Sequence, residues 1–187
     1  ELLNKADAET LAQSYKKARV HMQMAMINEK ETLGSILELA SNKTAVGQYV
    51  KQMQRTIETI GKSHLSALQV HMTARANKLG IRPVRIQLSE MEKRAAKILP
   101  KPTALVKAGG YREYRQYINK VPKEERAKYP YGRDGIPSTG ELQSLINGKR
   151  NVLEIKNMLD VQYSRKANLE SVMNYIQILK LAGLISF

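Results

Sequence analysis

Residues 140–187 read GELQSLINGKRNVLEIKNMLDVQYSRKANLESVMNYIQILKLAGLISF, three short helical patterns divided by turn signals. Leu142, Leu145 and Ile146 recur at helical spacing, and Asn147-Gly148 ends that run with a residue that tolerates the left-handed conformation. Asn151 is placed to cap a second helix, which carries Val152, Ile155, Met158, Leu159 and Tyr163 on one face. Asn168 caps a third helix, with Glu170 in its first turn, where a carboxylate complements the positive end of the helix dipole. Leu169, Val172, Met173, Ile176, Leu179 and Leu181 are its apolar positions; Gly183 closes it, and 184–187 predict a short final strand.

The order N-G-K-R-x-V-x-E-I, x-L-x-x-x-Y and V-x-x-Y-I-x-x-L-x-x-A-G-L-I resembles small winged-helix domains. It is most similar to the pyrroloquinoline-quinone biosynthesis chaperone D type, through Gly148, Val152, Glu154, Ile155, Leu159, Tyr163, Val172, Leu179, Gly183 and Leu184. The resemblance covers about a quarter of the chain and implies peptide binding, with Val172, Tyr175, Ile176 and Leu179 of the third helix as candidate protein or peptide contacts. A second resemblance takes in the preceding Tyr129-Pro130 and Gly135-Ile136-Pro137. A basic segment of this kind leading into such a domain is similar to the tails of bacterial zinc-dependent aminopeptidases of the aminopeptidase Y and leucyl aminopeptidase type. It implies a C-terminal, non-catalytic region whose zinc ligands lie upstream, in an exported or periplasmic protein.

Composition is compatible with either reading. The chain has 187 residues, enough for one domain of ordinary size or two small ones. Hydrophobic residues make up 42%, with no Trp, one Phe and nine Tyr, so the core is aliphatic and methionine-rich, as packed helices require. The absence of cysteine excludes disulfides and thiolate metal sites. No apolar run approaches the roughly 20 residues that span a bilayer. The opening ELLNKADAETL has neither an initiator Met nor a signal sequence, the expectation for a processed or excised segment. The net charge of +14 is unevenly spread: residues 1–80 carry +4, residues 81–139 carry +8 and residues 140–187 carry +2. An anionic partner is therefore expected at the middle segment.

Upstream, apolar residues recur in steps of three and four from Leu11 through Tyr15, Met22 and Met26 to Leu37, predicting a helix over 7–40. Ser41-Asn42-Lys43-Thr44 breaks it. A second helix over 45–79 shows a near-heptad line: Val46, Val50, Met53, Ile57, Ile60, His64, Ala67, His71 and Ala74. Such a line predicts a long seam in an antiparallel hairpin closed by Gly80. Residues 81–88 alternate weakly around Pro83 and suggest an extended piece, and Ser89 with Glu92 has the spacing of a capping box opening a short helix. From Gly109 to Pro137 the chain is rich in Tyr, Arg, Lys, Pro and Gly and is expected to be a connector.

Chemistry-bearing clusters are few. His64 and His71 are seven apart and share a helix face, but lack the i, i+4 pairing with a carboxylate that a metal site uses; packing is the favoured reading, and no metal or cofactor is implied. Tyr111, Tyr114 and Tyr117 interleave with Arg112 and Arg115. That pattern suits bases stacked on rings with arginine on phosphate, and it equally suits tyrosines pinning a connector to a surface. Arg112, Arg115, Lys149 and Arg150 are the candidate anion contacts. No phosphate loop, Ser/His/Asp arrangement or carboxylate dyad stands out.

The sequence thus predicts a mainly α protein. A long antiparallel hairpin (1–80) leads through a basic connector (81–139) to a small winged-helix-like three-helix domain (140–187). The leading expectation for function is an accessory region of a larger peptidase-like protein, its partner an upstream catalytic domain, another subunit or a peptide. The rival is a nucleic-acid-binding winged helix, in which the connector with Lys149, Arg150, Lys156, Arg165 and Lys166 neutralises phosphates. A subunit whose basic segment binds an acidic protein or a membrane surface ranks last, because no helix pairs a strongly apolar face with a basic one.

Overall fold

A computed structural model describes residues 2–187 and is mainly helical, with ten α-helices and two short strands. The chain divides into two compact units, Glu1–Gln87 and Leu88–Phe187. Among the described residues no helix is long and apolar enough to cross a membrane.

The first unit is the expected long hairpin. A short helix α1 (Leu2–Lys5) precedes α2 (Leu11–Leu39) and α3 (Lys43–Lys78); at 1.5 Å per residue the two long helices extend about 44 and 54 Å. Asn42 caps α3 by accepting from Ala45 N at 3.1 Å, and Gly80, with φ of 68°, turns the chain beyond its end. The core is gathered at one end. Leu3, Ala6, Leu11, Tyr15, Leu68, Met72 and Ala76 are buried there, and Ile81, Val84 and Ile86 pack over them. Arg75 ties α3 to the end of α1, donating from Nε and Nη2 to Ala6 O at 2.8 and 2.6 Å.

The predicted seam holds only in its first half. Val50 is buried and Val46, Met53 and Ile57 are half-buried, but Ile60, His64, Ala67, His71 and Ala74 are exposed. Beyond Ile57 the inward line runs instead through Gly61, Leu65, Leu68, Met72 and Ala76. The reason is geometric: a straight helix turns every 3.6 residues, so a strict heptad line drifts off the contact face. Gly61 lies on the new line, where an added Cβ would sit 2.6 Å from Met26 Sδ and 3.1 Å from its Cγ. Farther along, Gln54 Nε2 donates to Lys30 O at 2.7 Å, and Glu58 pairs with Lys30 at 3.0 Å and Lys62 at 2.8 Å.

In the second unit α4 (Glu90–Lys97) is followed by β1 (Lys101–Pro102), α5 (Ala104–Gly109), α6 (Tyr114–Lys120) and α7 (Lys123–Ala127). A 3₁₀ turn (Arg133–Gly135) then leads to α8 (Thr139–Leu145), α9 (Val152–Gln162), α10 (Leu169–Leu181) and β2 (Ile185–Ser186). The capping boxes at Ser89/Glu92 and Asn151/Glu154 are both complete, and Asn168 accepts from Ser171 N. Residues 81–139 are divided between the units: Ile81, Val84 and Ile86 join the hairpin core, while α4 packs on α9 and α10. β1 and β2 pair antiparallel, Lys101 opposite Ser186 and Pro102 opposite Ile185. Gly148 N and Val152 N donate to Pro100 O and Ile98 O, which fastens the approach to α9 onto the stretch after α4. Gly148 needs its φ of 75° for this turn, with Lys101 Cγ only 3.2 Å from where a Cβ would stand.

Candidate functional site

A cleft of about 300 Å³ opens in the second unit between α6, α7, α8 and α10, lined by Tyr114, Arg115, Ile118, Asn119, Arg126, Tyr131, Thr139 and Tyr175. Tyr114 and Ile118, one turn apart, fall on one face of α6, and Arg115 and Asn119 lie beside them. The helix begins after Glu113, a non-glycine residue at φ 58°, ψ 14°, a conformation that costs an L-residue roughly 1–2 kcal/mol. Tyr131 comes from the irregular stretch after α7. That stretch is anchored by Asn174 of α10, whose Nδ2 donates to Pro130 O at 2.7 Å, and Asn168 N donates to Gly135 O at 2.8 Å. Gly135 presses on α10 so closely that a Cβ there would meet Ser171 Cβ at 2.7 Å.

Tyr175 forms the floor. Its ring is 1% exposed and meets Tyr131 at 4.9 Å between centroids, tilted by 59°, a favourable aromatic geometry. Its hydroxyl accepts from the buried Gln143 Nε2 at 2.7 Å. Burial, followed by the nearby Tyr114 phenol, pushes the Tyr175 hydroxyl well above the ordinary tyrosine value, and the same two causes raise Tyr131. Both phenols therefore remain protonated at neutral pH. Arg115 leans on Tyr114, Nε to Oη 3.3 Å and guanidinium to ring 5.8 Å. Arg126 makes only a long Nη1 bond of 3.4 Å to Asn119 Oδ1, and its Nε is buried without an acceptor. A buried charged donor left unsatisfied costs about 1–3 kcal/mol or more. Among the described residues lining the cleft there are two guanidinium groups and no carboxylate, so the chemistry it offers is donation to an anion.

The other sequence-predicted residues fall elsewhere. Val172, Ile176 and Leu179 are buried inside the second unit together with Tyr175. The expected peptide-contact face of the third helix is thus core: α4, α6 and α9 already cover it, and only Tyr175 reaches a surface, through the cleft. Of the four anion-contact candidates, Arg115 alone lines the cleft. Arg112 and Lys149 are exposed away from its lining, and Arg150 is buried, which corrects its placement as a surface contact. Lys156 pairs with Asp160 at 2.6 Å, Arg165 donates to Ile136 O at 3.0 Å, and Lys166 donates to Tyr163 O at 3.3 Å. Three of the cations assigned to phosphates thus have intramolecular partners. His64 and His71 are exposed on α3, and among the described residues no three His, Asp or Glu side chains cluster to hold a metal.

Tyr117 sits under Lys120, 5.1 Å from Nζ to ring centroid, and the half-buried Tyr111, its hydroxyl pushed up to about 12 by burial, has no partner for that hydroxyl. The tyrosine–arginine interleaving in the sequence marked two of the eight lining residues, Tyr114 and Arg115. Arg126, Tyr131 and Thr139 carried no pattern of their own and are recruited by the fold. No family model, curated protein or solved structure matches the chain.

Proposed function

We propose that this chain is a non-catalytic accessory region of a larger peptidase-like protein, and that its second unit, a winged-helix-like module, recognises protein segments. The observation that carries the reading is the cleft: tyrosine rings and guanidinium groups around a buried polar floor are the residue types concentrated at the centres of protein-recognition surfaces. The arrangement of α8, α9 and α10 with the β1–β2 pair is consistent with the winged-helix resemblance, although the recognition surface lies at the α6–α10 cleft rather than along the buried side of α10. The likeness of residues 129–187 to aminopeptidase tails supports the parent protein, and export would follow from it.

Two measurements test this. Intact mass and sequencing of the native polypeptide from its source should return a longer protein with zinc ligands upstream; a 187-residue product sinks the appendage reading. Titration of the 187-residue chain with acetylated peptides, and separately with duplex DNA across a salt series, addresses the partner. Peptide binding mapped to the cleft is expected. Binding of DNA alone, with affinity falling steeply in salt, would transfer the site to the nucleic-acid reading, which the internal pairing of Lys156, Arg165 and Lys166 disfavours.

A further inference from the structure

α3 has a second regular face, turned away from the hairpin core. Opposite the inward line of Leu65, Leu68, Met72 and Ala76, a pair of residues recurs every seven positions: Thr59-Ile60, Ser66-Ala67 and Thr73-Ala74. Ser63 and Val70 fall between the pairs. All of these side chains are exposed except the half-buried Thr73; Val70 is 68% and Ile60 51% in solvent. An open groove of about 460 Å³ lies along this face, with Ser66, Val70 and Ala74 in its lining. We infer that the face binds the same face of a second copy of this chain, the two α3 helices running antiparallel. The inference stands independently of the recognition role proposed for the second unit.

Charge selects the occupant. Within residues 56–77 the only charged side chains are Glu58, Lys62 and Arg75, and each is engaged within the hairpin. Glu58 pairs with Lys30 and Lys62, and Arg75 donates to Ala6 O. The outward pairs therefore form an uncharged strip on an exposed helix, in a chain with 26% charged residues. The unit around the strip is basic, with 13 Lys and Arg against 7 Asp and Glu over residues 1–87. Two such copies repel over most of their surface, and the neutral strip is where they meet without setting like charges together. An acidic partner would find no cation on it.

Shape agrees. A strict seven-residue repeat is the pattern that keeps one helix seated along another. Turned end for end about Ser66-Ala67, the face complements itself. Val70 comes opposite Ser63 of the second copy, Ile60 opposite its Thr73-Ala74, and Ser66-Ala67 opposite the same pair. Each large side chain thus meets small ones. A parallel pairing would instead set Ile60 on Ile60, Val70 on Val70 and Lys62 beside Lys62. Size fixes the strength: 22 residues extend about 33 Å and a helix is ~10 Å across, which gives about 330 Å² in projection for each copy. That is at the low end of interface sizes, so the dimer is weak and reversible.

Sedimentation of the 187-residue chain over a concentration series tests this. Monomer should pass reversibly into dimer, with a dissociation constant of about 10–1,000 μM. Val70→Lys, at an exposed position, should raise that constant at least about tenfold with the helical circular dichroism unchanged. Leu39→Lys, 90% exposed at the end of α2 and off this face, should leave it where it was. The chain has no cysteine, so single replacements report the pairing. An equimolar mixture of Ser63→Cys and Val70→Cys chains should cross-link into dimers under mild oxidation, and either variant alone should cross-link far less. A chain that stays monomeric up to about 1 mM, or a dimer that Val70→Lys leaves intact, overturns the inference. So does a dimer that Leu39→Lys weakens as much as Val70→Lys, or one in which either cysteine variant alone cross-links as well as the mixture.

Discussion

α3 and α9 are both regular, well-capped helices, yet α3 buries four of its 36 residues and α9 four of its 11. The difference is not helicity but neighbours. Over most of its length α3 has α2 alone to lean on, so Val50 is its one buried residue before Leu68. α9 is enclosed by α4, α8 and α10, and Val152, Ile155 and Leu159 are completely shielded. The hairpin is also where large apolar side chains stay in water: Leu39 is 90% exposed, Val70 68% and Tyr49 64%. A helical pair gains length from its sequence; a layered bundle gains cohesion.

Truncation in the two settings should separate them most clearly. Leu159→Ala removes a fully buried side chain and is expected to cost about 2–5 kcal/mol, whereas Ile57→Ala, half-buried in α3, should cost about 1 kcal/mol. Denaturant unfolding followed by hydrogen exchange in each unit reads both, and equal losses would mean that the hairpin has cover it does not get from α2. Next in size is the polar floor of the cleft. Tyr175→Phe strips Gln143 Nε2 of its acceptor inside the second unit and should cost about 1–3 kcal/mol; a neutral result would show that Gln143 finds another acceptor. Smaller, and opposite in sign, is Glu113→Gly. It relieves the left-handed residue before α6 and should stabilise the second unit by about 0.5–1 kcal/mol after the entropic cost of glycine. A loss of stability instead would mean that the Glu113 side chain contributes something its backbone does not reveal.

pH sharpens the same contrast. Tyr111, Tyr131 and Tyr175 have raised values, caused chiefly by burial. Their contribution is therefore complete below the ordinary tyrosine value of ~10 and is lost as pH climbs through the folded values, about 12 for Tyr111. The second unit should weaken in alkali, with phenolate absorbance and unfolding rising together. The hairpin has its titrating group at the other end of the scale. Hydrogen bonds from Lys62 and then Lys30 hold Glu58 down to about 2, so its contribution is present above the ordinary carboxylate range and fades as pH falls toward that value. Because Glu58 is solvent-exposed the effect is small and salt-sensitive, and it should vanish in Glu58→Gln. A first unit as alkali-sensitive as the second would erase the distinction.

What was legible in the sequence was what is local. The caps at Ser89, Asn151 and Asn168, the break at 41–44, the stops at Gly80 and Gly183, and the long periodic runs need only a few adjacent residues to declare themselves. The phase of α3 beyond Ile57 did not, because lines through His64 and through Leu65 differ by one residue and only the partner helix selects between them. The third helix was read as apolar and as a contact face; its apolar positions are the same whether they meet a partner or the unit's own core, and the covering α4 and α6 come from a stretch that looked like a connector. The cleft was legible only in part. Tyr114 and Arg115 are marked by their interleaving, but the bond from Gln143 to Tyr175 joins residues 32 positions apart, and nothing near Arg126 signals that its Nε is buried.

The pairing of Lys101 with Ser186, reinforced by Thr103 N and Oγ1 donating to Leu184 O across some 80 positions, sets an order of events. Helix α2 meets α3 through one short turn, so the hairpin can close while the chain is still being synthesised. The second unit cannot zip its two strands until residues 185–186 have left the ribosome, and closing so long a loop is entropically slow. Until α9 and α10 follow, α4 lacks the helices that cover it, and its apolar face is open to chaperones and to neighbouring chains.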